Sequence, residues 1–251
     1  MDKENIISEP FFLKRGNTGA LLIHGFTGNT NEMKELGEFL ANNGITAMGI
    51  LLPGHGTKVE EILKVRWQDW DNAVKESLYK LKESCNKIFL VGLSMGGTLA
   101  LHNAVNSAPV INGIVIMNTP VYSLNNYFIK LVPLLKYIIK YVKKKGKSVK
   151  DVLTEQHIIG YNKNPIHGIA ELLKLMKNVK NELRLINVPV LIMHSKLDHT
   201  VPWKNAQKIF DNIGSIDKEV IWFNNSYHVL TMDNEKDEVF RQTYEFIKKH
   251  F

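Results

Sequence analysis

Ile88-Phe89-Leu90-Val91-Gly92-Leu93-Ser94-Met95-Gly96-Gly97 decides the reading of this 251-residue chain. Four apolar residues, with the length and composition of a buried strand, run into a serine set between glycines. Thr98-Leu99-Ala100-Leu101-His102-Asn103-Ala104 then continues as a helix start. A strand that turns directly into a helix lifts the serine at the turn out of the backbone and exposes its hydroxyl. The turn is so tight that side chains two positions either side of the serine would strike the neighbouring helix and strand, so both positions need glycine. Gly-x-Ser-x-Gly by itself arises by chance in roughly one chain in ten of this size. The flanking strand and helix therefore carry the inference that Ser94 is a candidate nucleophile.

Outward from that turn, five more short apolar runs read as buried strands: Ala20 to Ile23, Thr46 to Ile50, Gly113 to Met117, Val190 to Met193 and Glu219 to Phe223. Between most of them lie segments with apolar residues at three- and four-residue spacing. These are Asn31 to Asn42, Trp67 to Glu83, Leu99 to Asn106, Trp203 to Asn212 and Asp237 to Lys249. Strands alternating with helices predict an α/β fold with a mostly parallel sheet covered on both faces. The alternation lapses after Asn118, and residues 119–187 hold no convincing strand. They read as a helical insertion into a core made of residues 1–118 and 188–251. Within it, Leu124 to Val142 places Leu124, Phe128, Leu131, Leu135, Ile138, Ile139 and Val142 on one broad helical face, with Pro133 as a break. Ile169 to Leu185 repeats a helical pattern.

A serine hydroxyl attacks at neutral pH only with an imidazole in hydrogen-bond reach and a carboxylate to fix that imidazole's tautomer. In folds of this kind the order along the chain is serine, acid, histidine, each after the carboxyl end of a strand. The loop after Met193 offers Asp198, and the loop after Phe223, Asn224-Asn225-Ser226-Tyr227-His228, offers His228. After Met117 stand Asn118 and Thr119, so no carboxylate competes there. His199 adjoins Asp198 but points away from a bridging position, and His102, His157, His167 and His250 lie in helical or polar contexts. The oxyanion needs two backbone N–H donors, and these fall at Met95, after the serine, and at Phe26, in the loop His24-Gly25-Phe26-Thr27-Gly28 after the first central strand.

Composition narrows the classes further. The net charge of +7 comes from lysines spread along the chain, and the one dense cluster, Lys143-Lys144-Lys145-Gly146-Lys147, lacks the interleaved aromatics of a single-strand binder, so no nucleic acid is expected. One cysteine, Cys85, excludes an internal disulfide framework. With no charged-then-apolar leader before Phe11 and no bilayer-length apolar run, a cytoplasmic, soluble protein is expected. No metal-ligand spacing and no phosphate-binding glycine loop appears, so no cofactor is implied.

His24 to Gly28, Pro53-Gly54-His55-Gly56, Gly92-Leu93-Ser94-Met95-Gly96-Gly97, Asp198 with Val201-Pro202, and Asn225-Ser226-Tyr227-His228 recur together in order. In these strings the chain resembles the small bacterial carboxylesterases and monoacylglycerol lipases of the α/β-hydrolase fold. The resemblance implies Ser94, Asp198 and His228 as the triad, Phe26 and Met95 as oxyanion donors, and a small helical cap in which residues between Thr119 and Asn187 bind substrate. The expected activity is hydrolysis of short- to medium-chain esters or monoacylglycerols through an acyl-serine. Thioesters suit the same triad. A different class of reading makes this a catalytically idle fold whose amphipathic stretch Leu124 to Val142, trailed by lysines, binds a lipid surface or a partner. Transient lipid-surface contact through the cap is compatible with either reading.

Overall fold

The computed structural model describes residues 8–107, 110–122, 131–132, 134–144, 146–151, 154 and 160–251. Its main sheet has seven strands: β1 (Phe11–Leu13), β2 (Thr18–Ile23), β3 (Thr46–Ile50), β4 (Lys87–Leu93), β5 (Gly113–Met117), β8 (Val190–Ser195) and β9 (Lys218–Phe223). The spatial order is β1-β3-β2-β4-β5-β8-β9, and every pair is parallel except β1 with β3. Both faces of this sheet are buried. Leu21 and Ile23 of β2 enter one core layer while Ala20 and Leu22 enter the other, and Ile88 and Leu90 of β4 part from Phe89 and Val91 in the same way. A strand buried on both sides has no polar face, which is why each central strand reads as an unbroken apolar run.

Helices α2 (Trp67–Lys82), α3 (Met95–Asn106) and α5 (Lys204–Asn212) supply side chains to the first layer. Helices α1 (Asn31–Asn42) and α6 (Lys236–Lys249) supply the second. Leu36 and Leu40 on α1 are wholly buried, each removing apolar area equivalent to about 1.5–3 kcal/mol from water. The register sets the carboxyl ends of the strands level: Ile23 faces Gly92, Leu93 faces Met117, Met117 faces Met193, and Ser195 faces Phe223. The loops that follow β2, β4, β5, β8 and β9 therefore emerge on one edge, the usual place for a ligand site in a parallel sheet.

Three local readings need correction. Helix α3 begins at Met95 rather than Leu99, because Gly96 and Gly97, poor helix formers by propensity, are demanded there by packing. The edge strand β1 has only three residues and shows no period of its own. The insertion holds strand as well as helix: β6 (Tyr141–Lys143) pairs antiparallel with β7 (Lys163–Pro165), Val142 opposite Asn164. The helix expected over Leu124 to Val142 thus ends before Tyr141, and its first part, with Leu124, Phe128 and Pro133, lies outside the described residues. Helix α4 (Ile166–Glu182) follows β7 directly. Its Leu175 and Val179 join the first layer, whereas Ile166 and Ala170 close a small separate cluster with Val132, edged by Leu135 and Val142.

Candidate active site

Ser94 links β4 to α3 with φ 52° and ψ −117°, a backbone conformation that costs of order 1–3 kcal/mol and persists only when its surroundings enforce it. They do so through three hydrogen bonds. The Ser94 N–H donates to the Met117 carbonyl at 2.8 Å, and the Ser94 carbonyl accepts from Gly97 N–H at 2.9 Å and Thr98 N–H at 3.2 Å. The glycines are sterically required: a Cβ on Gly92 would strike Gly96, one on Gly96 would strike the Ile23 carbonyl, and one on Gly97 would strike the Thr119 side chain.

The three residues read from chain order meet at this turn. His228 Nε2 lies 2.9 Å from Ser94 Oγ, and His228 Nδ1 lies 2.7 Å from Asp198 Oδ2. A carboxylate only accepts, so Nδ1 carries the proton and Nε2 is left to accept from the serine hydroxyl. The other oxygen of Asp198, Oδ1, accepts the N–H groups of Thr200 at 2.7 Å and Val201 at 3.0 Å. Burial by itself would raise the Asp198 carboxyl. The adjacent His228, the Val201 amide and His194 outweigh it and hold the group below the ordinary aspartate value.

The donors expected for an oxyanion lie beside the serine. The N–H groups of Phe26 and Met95 have no acceptor among the described residues, and Met95 N–H opens α3, where the helix dipole favours negative charge. The Phe26 loop is braced from below by His24. Leu52 N–H donates to His24 Nε2 at 3.1 Å, so the ring proton sits on Nδ1, 2.8 Å from the Gly25 carbonyl. Burial lowers His24 to about 4 and, with the neighbouring His24, lowers His55 to about 3. Both are neutral packing residues at neutral pH, while the exposed His199 lies against the Tyr227 ring.

Three supporting residues are missed in the sequence reading. Asn118, at φ 44°, donates from Nδ2 to the carbonyls of Tyr227 at 3.0 Å and His228 at 2.7 Å, while its Oδ1 accepts Ser195 N–H at 2.8 Å. It thus ties the ends of β5 and β8 to the histidine loop. Asp233 accepts from Tyr227 N–H at 2.6 Å and from Lys150 N–H at 2.7 Å, joining that loop to the insertion. Glu32 of α1 turns inward, its Oε2 accepting Gly25 N–H at 2.9 Å, and burial pushes its carboxyl above the ordinary glutamate value. Asn and Asp at loop positions carry no distinguishing signal. Glu32 had one: it shares a four-residue spacing with the buried Leu36 and Leu40, an acidic residue on an apolar stripe.

Ser94 and His228 border a cavity of about 260 Å³. Ile169, Leu172, Leu173 and Met176 of α4 make part of its wall apolar, and Glu32, Lys144 and Asn164 contribute polar groups. The insertion thus supplies a large share of the lining.

The family described as Hydrolase_4, serine aminopeptidase S33, matches residues 19–236. The chain is 36% identical over 250 residues to a thermostable monoacylglycerol lipase of Bacillus sp. (strain H-257), covering 97% of this chain and 95% of that one. It is 31% identical over 245 residues to a carboxylesterase of Bacillus subtilis (strain 168), covering 97% and 98%. A solved structure of the metagenome-derived lipolytic enzymes LipS and LipT superposes with a TM-score of 0.92 at 30% identity, over 97% of this chain and 98% of that one. A seven-stranded sheet with the serine, carboxylate and imidazole on its carboxyl edge, matched along nearly the whole chain, means that this protein belongs to the Hydrolase_4 family and has the α/β-hydrolase fold.

Proposed function

We propose that this carboxylic ester hydrolase acts through Ser94 as nucleophile, His228 as general base and acid, and Asp198 as the group that orients His228. His228 Nε2 takes the hydroxyl proton as Ser94 Oγ bonds to the ester carbonyl carbon. The resulting oxyanion accepts the N–H groups of Phe26 and Met95. Collapse of the tetrahedral adduct breaks the bond to the alcohol, which leaves with the proton from His228, and an acyl-serine remains. Water then attacks, giving a proton to His228, and the second collapse releases the acid and returns that proton to Ser94. The unbroken chain Asp198–His228–Ser94, at 2.7 Å and 2.9 Å, carries this reading.

The substrate class we favour is the monoacylglycerol of short to medium chain. The cavity combines an apolar wall from α4 with polar groups at Glu32, Lys144 and Asn164, and a monoacylglycerol is divided in the same way between an acyl chain and a diol. The helical and stranded insertion, residues 119–187, is on this reading the cap that selects the acyl chain. A chain-length series of monoacylglycerols and aryl esters tests the assignment. Ser94→Ala is expected to lower the rate by about 10⁴- to 10⁶-fold on every ester, and full retention of activity refutes it. A maximum on short aryl esters, with slow turnover of all monoacylglycerols, refutes the substrate class while leaving the mechanism.

Contact with a lipid surface is part of the same proposal. Leu134, Tyr137 and Ile138 of the insertion are 68%, 80% and 83% exposed, and Lys136 and Lys140 stand among them in the sequence. Large apolar groups held in water beside cations suit an anionic lipid surface. No helix among the described residues is long and apolar enough to cross a membrane, so the contact would be superficial.

A further inference from the structure

Glu32 is the one acidic side chain among the described residues that borders the cavity, and the triad does not use it. The residue is 8% exposed. Its Oε2 accepts Gly25 N–H at 2.9 Å, but Oε1 has no hydrogen-bond partner among the described residues. The carboxyl group is closely framed. A Cβ on Gly28 would collide with it, and a Cβ on Gly25 would stand 3.3 Å from Oε2 and 3.4 Å from Ser94 Cβ. The loop that carries the Phe26 N–H is thus wrapped around this carboxyl, and the carboxyl lies on the serine side of the loop. The charged and titratable groups acting on it are Lys144, which shares the cavity wall, and His228. Oε1 is not among the fully buried polar atoms left without a partner, and with Glu32 on the cavity wall it is open to a hydroxyl of a bound ligand. Such a carboxyl is out of place in a site that handles only hydrocarbon.

From this placement we propose that Glu32 is a specificity-determining residue for the alcohol part of the substrate, its Oε1 exchanging a hydrogen bond with a free hydroxyl of a glyceryl or similar polyol ester. The inference rests on the ester hydrolase reading above and names the substrate feature that the site recognises. Burial works against the charged form of this carboxyl, while Gly25 N–H, Lys144 and His228 favour it, and in either form Oε1 can accept a hydrogen bond from a substrate hydroxyl. A site built to hydrogen-bond a hydroxyl discriminates against the analogue that lacks it, because the buried group is left unpaired.

The test compares kcat/KM for a medium-chain 1-monoacylglycerol with that for the propyl ester of the same acid, in wild type, Glu32→Ala and Glu32→Gln. Any loss from loosening the Gly25 contact lowers both esters alike and cancels in the ratio. The wild-type ratio is expected to favour the glyceryl ester. Glu32→Ala should cut that ratio by about 10- to 100-fold, the loss of one or two hydrogen bonds to a buried polar group. Glu32→Gln keeps the volume and an acceptor for Gly25, so it provides the comparison even if the alanine variant does not fold, and should cut the ratio by about threefold or more. A preference that survives in the folded variants refutes the role of Glu32 and leaves the mechanism standing. A wild type that cleaves the propyl ester with no preference for the glyceryl ester refutes the monoacylglycerol reading itself, and this inference with it.

Discussion

The carboxyl edge of the sheet and the insertion above it are built on different terms. At the sheet edge, every functional group is over-determined. Ser94 is locked by Met117, Gly97 and Thr98, Asp198 by Thr200 and Val201, and the histidine loop by Asn118 and Asp233. In the insertion, Leu175 and Val179 anchor α4 to the first core layer, but its outer part, among the described residues, gathers on a small cluster of Val132, Ile166 and Ala170 and leaves Leu134, Tyr137 and Ile138 in water. Chemistry needs reacting groups held to a fraction of an ångström, whereas binding of an aliphatic chain needs apolar area with little directional demand. The first requirement consumes hydrogen bonds and glycines. The second is met by α4 side chains of interchangeable type.

The sharpest way to break this contrast is at Asp198, the carboxylate that should matter for rate rather than for the fold's outline. Asp198→Asn keeps the shape but can donate to His228 Nδ1, which favours the tautomer with the proton on Nε2 and leaves it unable to take the serine proton. A loss of about 10⁴-fold in kcat is expected, the size found for the corresponding change in serine proteases. Steady-state kinetics on a soluble aryl ester measures it, with circular dichroism to show that the variant is folded. A loss of less than tenfold would mean that the hydrogen bond at 2.7 Å does not set the tautomer.

The same contrast explains what the sequence discloses. Strands buried on both faces leave uninterrupted apolar runs, so β2, β3, β4, β5, β8 and β9 are legible, and the chain order of Ser94, Asp198 and His228 follows from where those strands end. Strand β6 is not legible. Three residues show no period, and Val142 falls equally well on the helical face that starts at Leu124. Nor can the sequence disclose Asn118 or Asp233, because their work is done through backbone amides and carbonyls that, apart from Tyr227 N–H on Asp233, lie 77 to 110 positions away. Such partners become visible only when the register is known.

Acid should find the next weakness, beneath the oxyanion loop. Unfolded histidine takes up a proton below about pH 6.5, whereas folded His24 and His55 stay neutral down to about 4 and about 3. Between those values the unfolded chain binds more protons, so stability falls as pH falls. Each histidine should remove roughly 3 kcal/mol by pH 4. Thermal melts from pH 7.5 to 4 follow the loss, and His55→Gln should reduce its slope by about half. An unchanged slope would place the acid sensitivity elsewhere.

At Asn118 a smaller effect is expected, and it separates support from chemistry. Asn118→Ala removes two hydrogen bonds to the Tyr227 and His228 carbonyls and one from Ser195 N–H, and it forces alanine into φ 44°. A destabilisation of about 2 kcal/mol is expected in urea titration, together with a roughly tenfold fall in kcat as His228 loses its alignment. If activity falls as far as in Asp198→Asn while stability is intact, Asn118 does more than hold the loop.

The smallest change should come at Ile138, where the insertion meets water. Its side chain is 83% exposed, so Ile138→Ser removes almost no folded-state contact and should shift stability by less than about 0.5 kcal/mol. If the exposed row Leu134, Tyr137 and Ile138 seats on lipid, partial burial of this side chain contributes about 1 kcal/mol. The variant should then bind vesicles containing anionic lipid about fivefold more weakly in a sedimentation assay at low salt. Raising the salt should weaken wild type and variant by the same factor, because Lys136 and Lys140 are unchanged and screening acts on their charge alone. Equal binding by the two proteins at low salt would assign the exposed row to a different partner. It would also confine the lipid contact, if any, to the lysines. The contrast between a rigid catalytic edge and an adaptable apolar insertion would then hold for the cavity but not for the outer surface.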